Sequence, residues 1–220
     1  MARDPVRAKQ LELFDGPFGA VYSFYIERPW LPRTIGRLIW GGDARLIYDS
    51  FAVIRDAPDG GTIIDAPCGS GVAFRGLVGD QRVRYLAVDL SSRMLERARK
   101  NAARRGLQQI EFHQVDAATI PVADGSADLF LSHGGLHCFP DPQAAIIEAA
   151  RCLRPGGRLV GTTFSLGNHL RQRLLIRPYR GGFGPVGTRG DLQRWLASAG
   201  FREIEVRSSG PLTLFRAAAA

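Results

Sequence analysis

Three acids stand where short apolar runs of this chain end. Asp65 follows Thr62-Ile63-Ile64, Asp89 follows Leu86-Ala87-Val88, and Asp116 follows the run that opens at Ile110. Directly after Asp65 comes Ala66-Pro67-Cys68-Gly69-Ser70-Gly71, in which Gly69 and Gly71 let a ligand approach bare backbone. An acid at the end of a second strand can accept hydrogen bonds from both hydroxyls of a ribose. Asp116 then falls within reach of an adenine edge if a nucleoside lies across the strand ends. Each aspartate alone reads equally well as a helix cap or turn former. Three at successive strand ends favour a ligand-binding crevice. Gly156-Gly157, after Arg154-Pro155, has a plainer use as a tight turn from helix to strand.

The elements that must hold these residues follow from hydrophobic periodicity. Strands are predicted at Thr62–Asp65, Arg84–Asp89, Ile110–Val115, Leu129–Ser132, Leu159–Phe164, Glu203–Arg207 and Leu212–Arg216. Val72–Leu77, Ser92–Arg105, Gln143–Leu153 and Asp191–Ala199 read as helices, the last stopped by Gly200. Strand and helix in alternation imply an α/β, Rossmann-like three-layer sandwich on a mostly parallel seven-stranded sheet, with an antiparallel strand entering at the edge through the final pair. Ahead of it, residues 1–58 form an N-terminal extension with two or three helices. In it Ile47, Phe51 and Ile54 recur at helical spacing after Gly41-Gly42, and Pro29-Trp30-Leu31-Pro32 marks an irregular turn. The binding domain is then 59–217, with a basic insert near 165–189, and the alanine-rich end from Ala217 is expected to fray.

Composition narrows the class. At 220 residues with 45% hydrophobic content the chain buries one core. Cys68, Cys138 and Cys152 are too few for a disulfide framework and read as reduced. No secretory leader or membrane-spanning run is evident, so the cytoplasm is the expected location. The formal charge of +8 comes almost entirely from arginine and admits nucleic acid, anionic lipid or an acidic substrate as partner.

These residues resemble the class I S-adenosylmethionine-dependent methyltransferases, within them the small-molecule group that includes ubiquinone/menaquinone-type enzymes. The likeness covers roughly residues 60–165. It runs through Ile63-Ile64-Asp65-Ala66-Pro67-Cys68-Gly69-Ser70-Gly71, Ala87-Val88-Asp89-Leu90-Ser91 with Met94, and Asp116-Ala117 followed by Ile120-Pro121-Val122. Further on, Ser126-Ala127-Asp128, Gly135-Leu136-His137-Cys138-Phe139-Pro140-Asp141-Pro142, Glu148 and Arg151-Cys152-Leu153-Arg154-Pro155-Gly156-Gly157 look like the family's fourth-to-fifth-strand stretch. The resemblance implies S-adenosyl-L-methionine as cofactor, contacted by Asp65, Ala66, Gly69, Gly71, Asp89, Leu90, Met94, Asp116, Ala117 and Ser132. Pro67 departs from the family's first loop glycine, which puts the contact at that position in question.

Competing readings weaken on particular residues. A nicotinamide fingerprint starting at Gly69 would place Phe74 where a third glycine or alanine is needed for close packing. A nucleic-acid methyltransferase remains the alternative because of the basic charge. Against it, the fourth strand ends in Ser132-His133-Gly134-Gly135, not Asn/Asp-Pro-Pro-aromatic, and Pro67-Cys68 sits in the cofactor loop. A protein that binds the nucleoside without turnover is the other.

Methyl transfer from a sulfonium demands mainly in-line alignment and exclusion of water. His133 and His137 are the candidate bases past the fourth strand, each with a packing role as its plain alternative. No ligand cluster suggests a metal. The acceptor is expected to be a small, partly apolar or anionic molecule beneath a lid carrying Tyr22, Phe24, Tyr25 and Trp30. Arg171, Arg173, Arg177 and Arg180 in the insert could touch that acceptor, a membrane surface or a partner, or form a solvated face.

Overall fold

The computed structural model describes residues 5–165 and 187–220. Seven strands form one sheet: β1 (Thr62–Asp65), β2 (Arg84–Val88), β3 (Ile110–His113), β4 (Ala127–His133), β5 (Leu153–Phe164), β6 (Phe201–Ser209) and β7 (Leu212–Ala219). Their order is β3-β2-β1-β4-β5-β7-β6. Side chains alternate between two buried faces: Ile63, Tyr85, Leu129 and Leu131 pack on one side, Ile64, Leu86, Val88 and Phe130 on the other. Burial on both faces is why these strands read as continuous apolar runs.

One side is covered by α5 (Ser92–Arg104), the other by α6 (Pro142–Cys152) and α7 (Arg189–Ser198). Helix α5 starts where the Ser91 side chain accepts the Met94 N–H at 3.0 Å, and it buries Met94, Leu95, Ala98, Asn101 and Ala102 at helical spacing. Helix α6 starts at Asp141, whose carboxylate accepts from the backbone of Gln143 and Ala144, with Pro142 at the first helical position. Helix α7 carries a reciprocal cap between Thr188 and Asp191.

Several expectations are corrected. The antiparallel strand is β7, and it is inserted between β5 and β6 and does not form the edge; β6 does. The alanine-rich end does not fray: Ala217 and Ala218 pair with Leu159 and Arg158, and Ala219 with Phe201. Leu153 already pairs with Ala127, so β5 begins before the Arg154-Pro155-Gly156-Gly157 turn. The helix expected over Val72–Leu77 is a 3-10 helix that ends one residue earlier, at Gly76.

The N-terminal extension is also richer than two or three helices. It contains α1 (Pro5–Asp15), α2 (Pro17–Ile26), a π-helical turn (Pro32–Gly36), α3 (Arg37–Trp40), α4 (Arg45–Ser50) and a 3-10 segment (Phe51–Asp56). Prolines at 29 and 32 and the left-handed Gly41 break it into short pieces. Helix α1 is tied to α5, as Ser91 donates to Asp15 and Arg97 to the Phe14 carbonyl at 3.2 Å. No helix among the described residues is long and apolar enough to cross a membrane. The insert arginines at 171–180 lie outside the described residues.

Candidate functional site

The strand order reverses between β1 and β4, and a crevice opens at the carboxyl ends of the strands there, as in other open α/β sheets. A cavity of about 120 Å³ occupies it, lined by Asp65, Gly69, Asp89, Leu90, Met94, Asp116 and Ala117 among others. Ala66, Gly71 and Ser132, expected at the same site, do not line it. Ala66 and Ser132 face a small void against α6 with Phe130 and Ala145. Gly71 packs closely against a neighbouring ring. With φ at 79°, a Cβ there would lie 2.2 Å from the Phe74 ring, which stacks edge-on to Tyr85.

The loop after β1 is held from several directions. Cys68 N–H donates to the Val88 carbonyl at 2.8 Å, and Asn101 of α5 donates to the carbonyls of Ser70 and Gly71 at 3.0 and 2.9 Å. Gly69, at φ 53°, donates its N–H to Asp89 Oδ2 at 2.9 Å and leaves open space where a Cβ would stand. The Ala66–Pro67 peptide is cis, and Pro67 lines the cavity in the place of the family's first glycine.

Two buried carboxyls dominate the electrostatics. Asp89 accepts from Gly69 N–H and Ser91 N–H, both at 2.9 Å, yet burial pushes it up to about 6. Asp65 accepts from Tyr85 O–H at 2.8 Å, and burial, with repulsion from Asp89, pushes it up to about 8. Neither has a cationic side chain as partner among the described residues. Two buried acids without a counter-charge suit a cationic ligand. Asp116 differs, since Arg7 of α1 pairs with it at 2.6 Å while its other oxygen accepts from Ala118 N–H.

A second cavity of about 350 Å³ adjoins the first. Phe14, Tyr22, Ile26, Val72, His133, Gly134 and Cys138 line both. Its other walls are mostly apolar: Phe18, Val21, Tyr25, Ile35, Ile47, Phe164 and Leu212. Of the aromatics expected in a lid, Tyr22 and Tyr25 face this space. Phe24 and Trp30 point outward, and Phe14 and Phe18 take their place.

His133 and His137 separate here. His133 borders both cavities, packs edge-on to Phe51, and has a buried Nε2 with no hydrogen-bond partner among the described residues. His137 borders only the second, and its Nδ1 accepts the Phe164 N–H at 3.2 Å. Burial drives both imidazoles down, His133 to about 3 and His137 to about 4, so both are neutral near pH 7. Arg7, Gln10, Phe14 and Asn101 were not singled out by sequence; a pairing such as Arg7 with Asp116 leaves no local signal. Among the described residues no three His, Cys, Asp or Glu side chains gather as a metal-ligand set.

Residues 64–161 match the family described as methyltransferase domain. The chain is 34% identical over 160 residues to an uncharacterised chloroplast methyltransferase of Arabidopsis thaliana, covering 70% of this chain and 43% of that protein. It is 32% identical over 121 residues to the 27-O-demethylrifamycin SV methyltransferase of Amycolatopsis mediterranei, covering 54% and 44%. The chain therefore spans less than half the length of these relatives. The phosphoethanolamine N-methyltransferase 2 of Haemonchus contortus, solved with phosphomonomethylethanolamine and S-adenosylhomocysteine, shares the fold with a TM-score of 0.71 at 18% identity, covering 94% of this chain and 47% of that one.

Proposed function

We propose that this chain transfers the methyl group of S-adenosylmethionine to a small-molecule acceptor held in the larger cavity. The observation that carries this reading is the junction of two cavities, one rimmed by acids and one apolar, across Tyr22, His133, Gly134 and Cys138. The acids fit the cofactor: Asp65 lacks a counter-charge that the ligand's cationic end supplies, and Gly69 leaves room for close approach. Asp89 is the acceptor for the ribose hydroxyls; Leu90, Met94, Asp116 and Ala117 border the adenosine. When bound, the cofactor would supply an activated methyl group, which an acceptor lone pair would take in line with the breaking sulfur–methyl bond, S-adenosylhomocysteine being the leaving group.

The protein's part is alignment and dryness. The apolar walls of the second cavity exclude water from the acceptor. His133 Nε2, buried and unpartnered, holds an acceptor hydroxyl or amine; an imidazole held down near 3 orients such a group better than it removes its proton. His137, engaged with Phe164 N–H, positions the end of β5. No metal enters this scheme. Three unpaired, buried cysteines suit a reducing compartment such as the cytoplasm.

Titration calorimetry with S-adenosylhomocysteine tests the cofactor half. Replacing Asp89→Ala should weaken binding by about 1–3 kcal/mol, the worth of charge-assisted hydrogen bonds. A folded protein that binds neither S-adenosylmethionine nor S-adenosylhomocysteine sinks the reading. Transfer of labelled methyl to apolar phenols and amines, measured against RNA as acceptor, tests the other half, and transfer to RNA alone would install the nucleic-acid alternative.

A further inference from the structure

The N-terminal helices carry several large apolar side chains that are exposed. Val21 and Phe24 of α2, Trp30, and Leu38 of α3 are 66%, 55%, 64% and 72% exposed, and Ile35 and Ile39 lie exposed beside them. Elsewhere among the described residues the large hydrophobic side chains exposed to this degree are scattered singly, as at Val78 and Ile147. Six gathered within residues 21–39 form a patch of the kind that marks an interaction surface.

Its charge selects the partner. Residues 17–40 contain Arg28, Arg33 and Arg37 against a single acid, Glu27, which pairs with Arg104. The Arg28 guanidinium lies 3.6 Å over the Phe24 ring, so its charge sits at the edge of the apolar area. Arg28 at the edge of Phe24, with Arg33 and Arg37 on the same segment, matches a surface that is apolar below and anionic at its rim, which is the layered chemistry of a bilayer with acidic headgroups. An apolar face of another protein would offer these cations no partner, and a second copy of a chain that carries +8 would repel them.

The patch is also continuous with a hole. Val21 and Ile35 are exposed and at the same time line the larger cavity. The rim of that cavity is therefore part of the same surface. We propose that the face formed by α2, the π-helical turn and α3 docks on anionic lipid, with the rim of the larger cavity against the bilayer. The chain has no described helix able to span a membrane, so the contact is interfacial. An acceptor entering through this rim passes from the bilayer to the cavity without crossing water. That consequence rests on the methyl-transfer reading; the docking does not.

Sedimentation of the full chain with vesicles tests it. Phosphatidylcholine mixed with phosphatidylglycerol should carry the protein down at low salt, phosphatidylcholine alone should not, and added salt should release it. Arg33→Gln together with Arg37→Gln should lower the partition coefficient roughly thirtyfold, about fivefold for each cation removed. Trp30→Asp with Leu38→Asp should abolish sedimentation while circular dichroism and S-adenosylhomocysteine affinity stay unchanged, since neither residue lines a cavity. The proposal is overturned if the wild-type chain stays in solution with acidic vesicles. It is equally overturned if neither double variant alters the binding, or if the patch proves to join two copies, seen as a dimer in solution that Trp30→Asp dissociates. Failure on vesicles with intact cofactor binding leaves the catalytic reading standing.

Discussion

Protonation of Asp65 should make cofactor binding steeply dependent on pH. Its carboxyl is fully buried, is pushed up to about 8, and so carries a proton near neutrality in the ligand-free protein. A cationic ligand favours the ionised form and must expel that proton. Each pH unit below about 8 then costs about tenfold in affinity, because one pKa unit corresponds to about 1.4 kcal/mol. Between about 8 and about 6, where Asp89 begins to take its own proton, the loss is on the order of a hundredfold, and below that the slope doubles. Calorimetry with S-adenosylmethionine across this range, repeated in buffers of different ionisation heat, counts the protons directly. Nearly one should be released per ligand at pH 7, and Asp65→Asn should flatten the upper limb while keeping the lower one. No proton release at pH 7, or an identical profile in Asp65→Asn, refutes the argument. Stability of the ligand-free chain carries the matching sign. A folded pKa raised above the unfolded value contributes stability that is complete below about 4 and lost as pH rises through about 8, so the melting temperature should fall over that window.

Three more perturbations separate the parts of the site. Gly71→Ala should destabilise the fold by on the order of 2–4 kcal/mol in denaturant unfolding, because a Cβ meets the Phe74 ring and the backbone is left-handed there. Deleting α1 should weaken cofactor binding in calorimetry, since Arg7 pairs with Asp116 and Gln10, Leu11 and Phe14 line the smaller cavity; full affinity after deletion would take α1 out of the cofactor contacts. A chelator should leave the methyl-transfer rate unchanged, and a loss restored by magnesium would disprove the metal-free scheme.

How far the sequence could be read depended on whether the causes were local. Strand β1 was legible to the residue at Thr62–Asp65, since three apolar or β-branched positions end at an acid followed by a glycine-rich turn. The acids at 65 and 89 were found because strand ends are places that a periodic pattern exposes, whereas β3 ends at His113, short of the expected Val115, and leaves Asp116 in the following loop. Boundaries failed where pairing overrode pattern: Ala127 and Asp128 join β4 because Asp128 also accepts the Thr62 N–H and pairs with Arg154. Gly71 has a packing role that the sequence did not suggest. Phe74 reads in sequence as an obstacle to a nicotinamide fingerprint, yet its ring is what makes glycine necessary at 71. The inward or outward choice along α2 was not legible, since Tyr22 and Phe24 are both aromatic and only the tertiary fold turns one to the cavity and the other to solvent. The contact of α1 with the crevice, through Arg7, joins residues far apart in the chain and is invisible to any window.

The wall shared by the two cavities divides the chain into positions with different freedom to vary. Phe14, Tyr22, Val72 and His133 serve two tenants, so a change made there to admit a new acceptor also disturbs the cofactor, and such changes should be rare among descendants that keep turnover. Phe18, Val21, Ile35 and Leu212 serve only the larger cavity. Diversification of acceptor choice, by nature or by directed evolution, has its open ground at those four positions, where a library can reshape one room without touching the other.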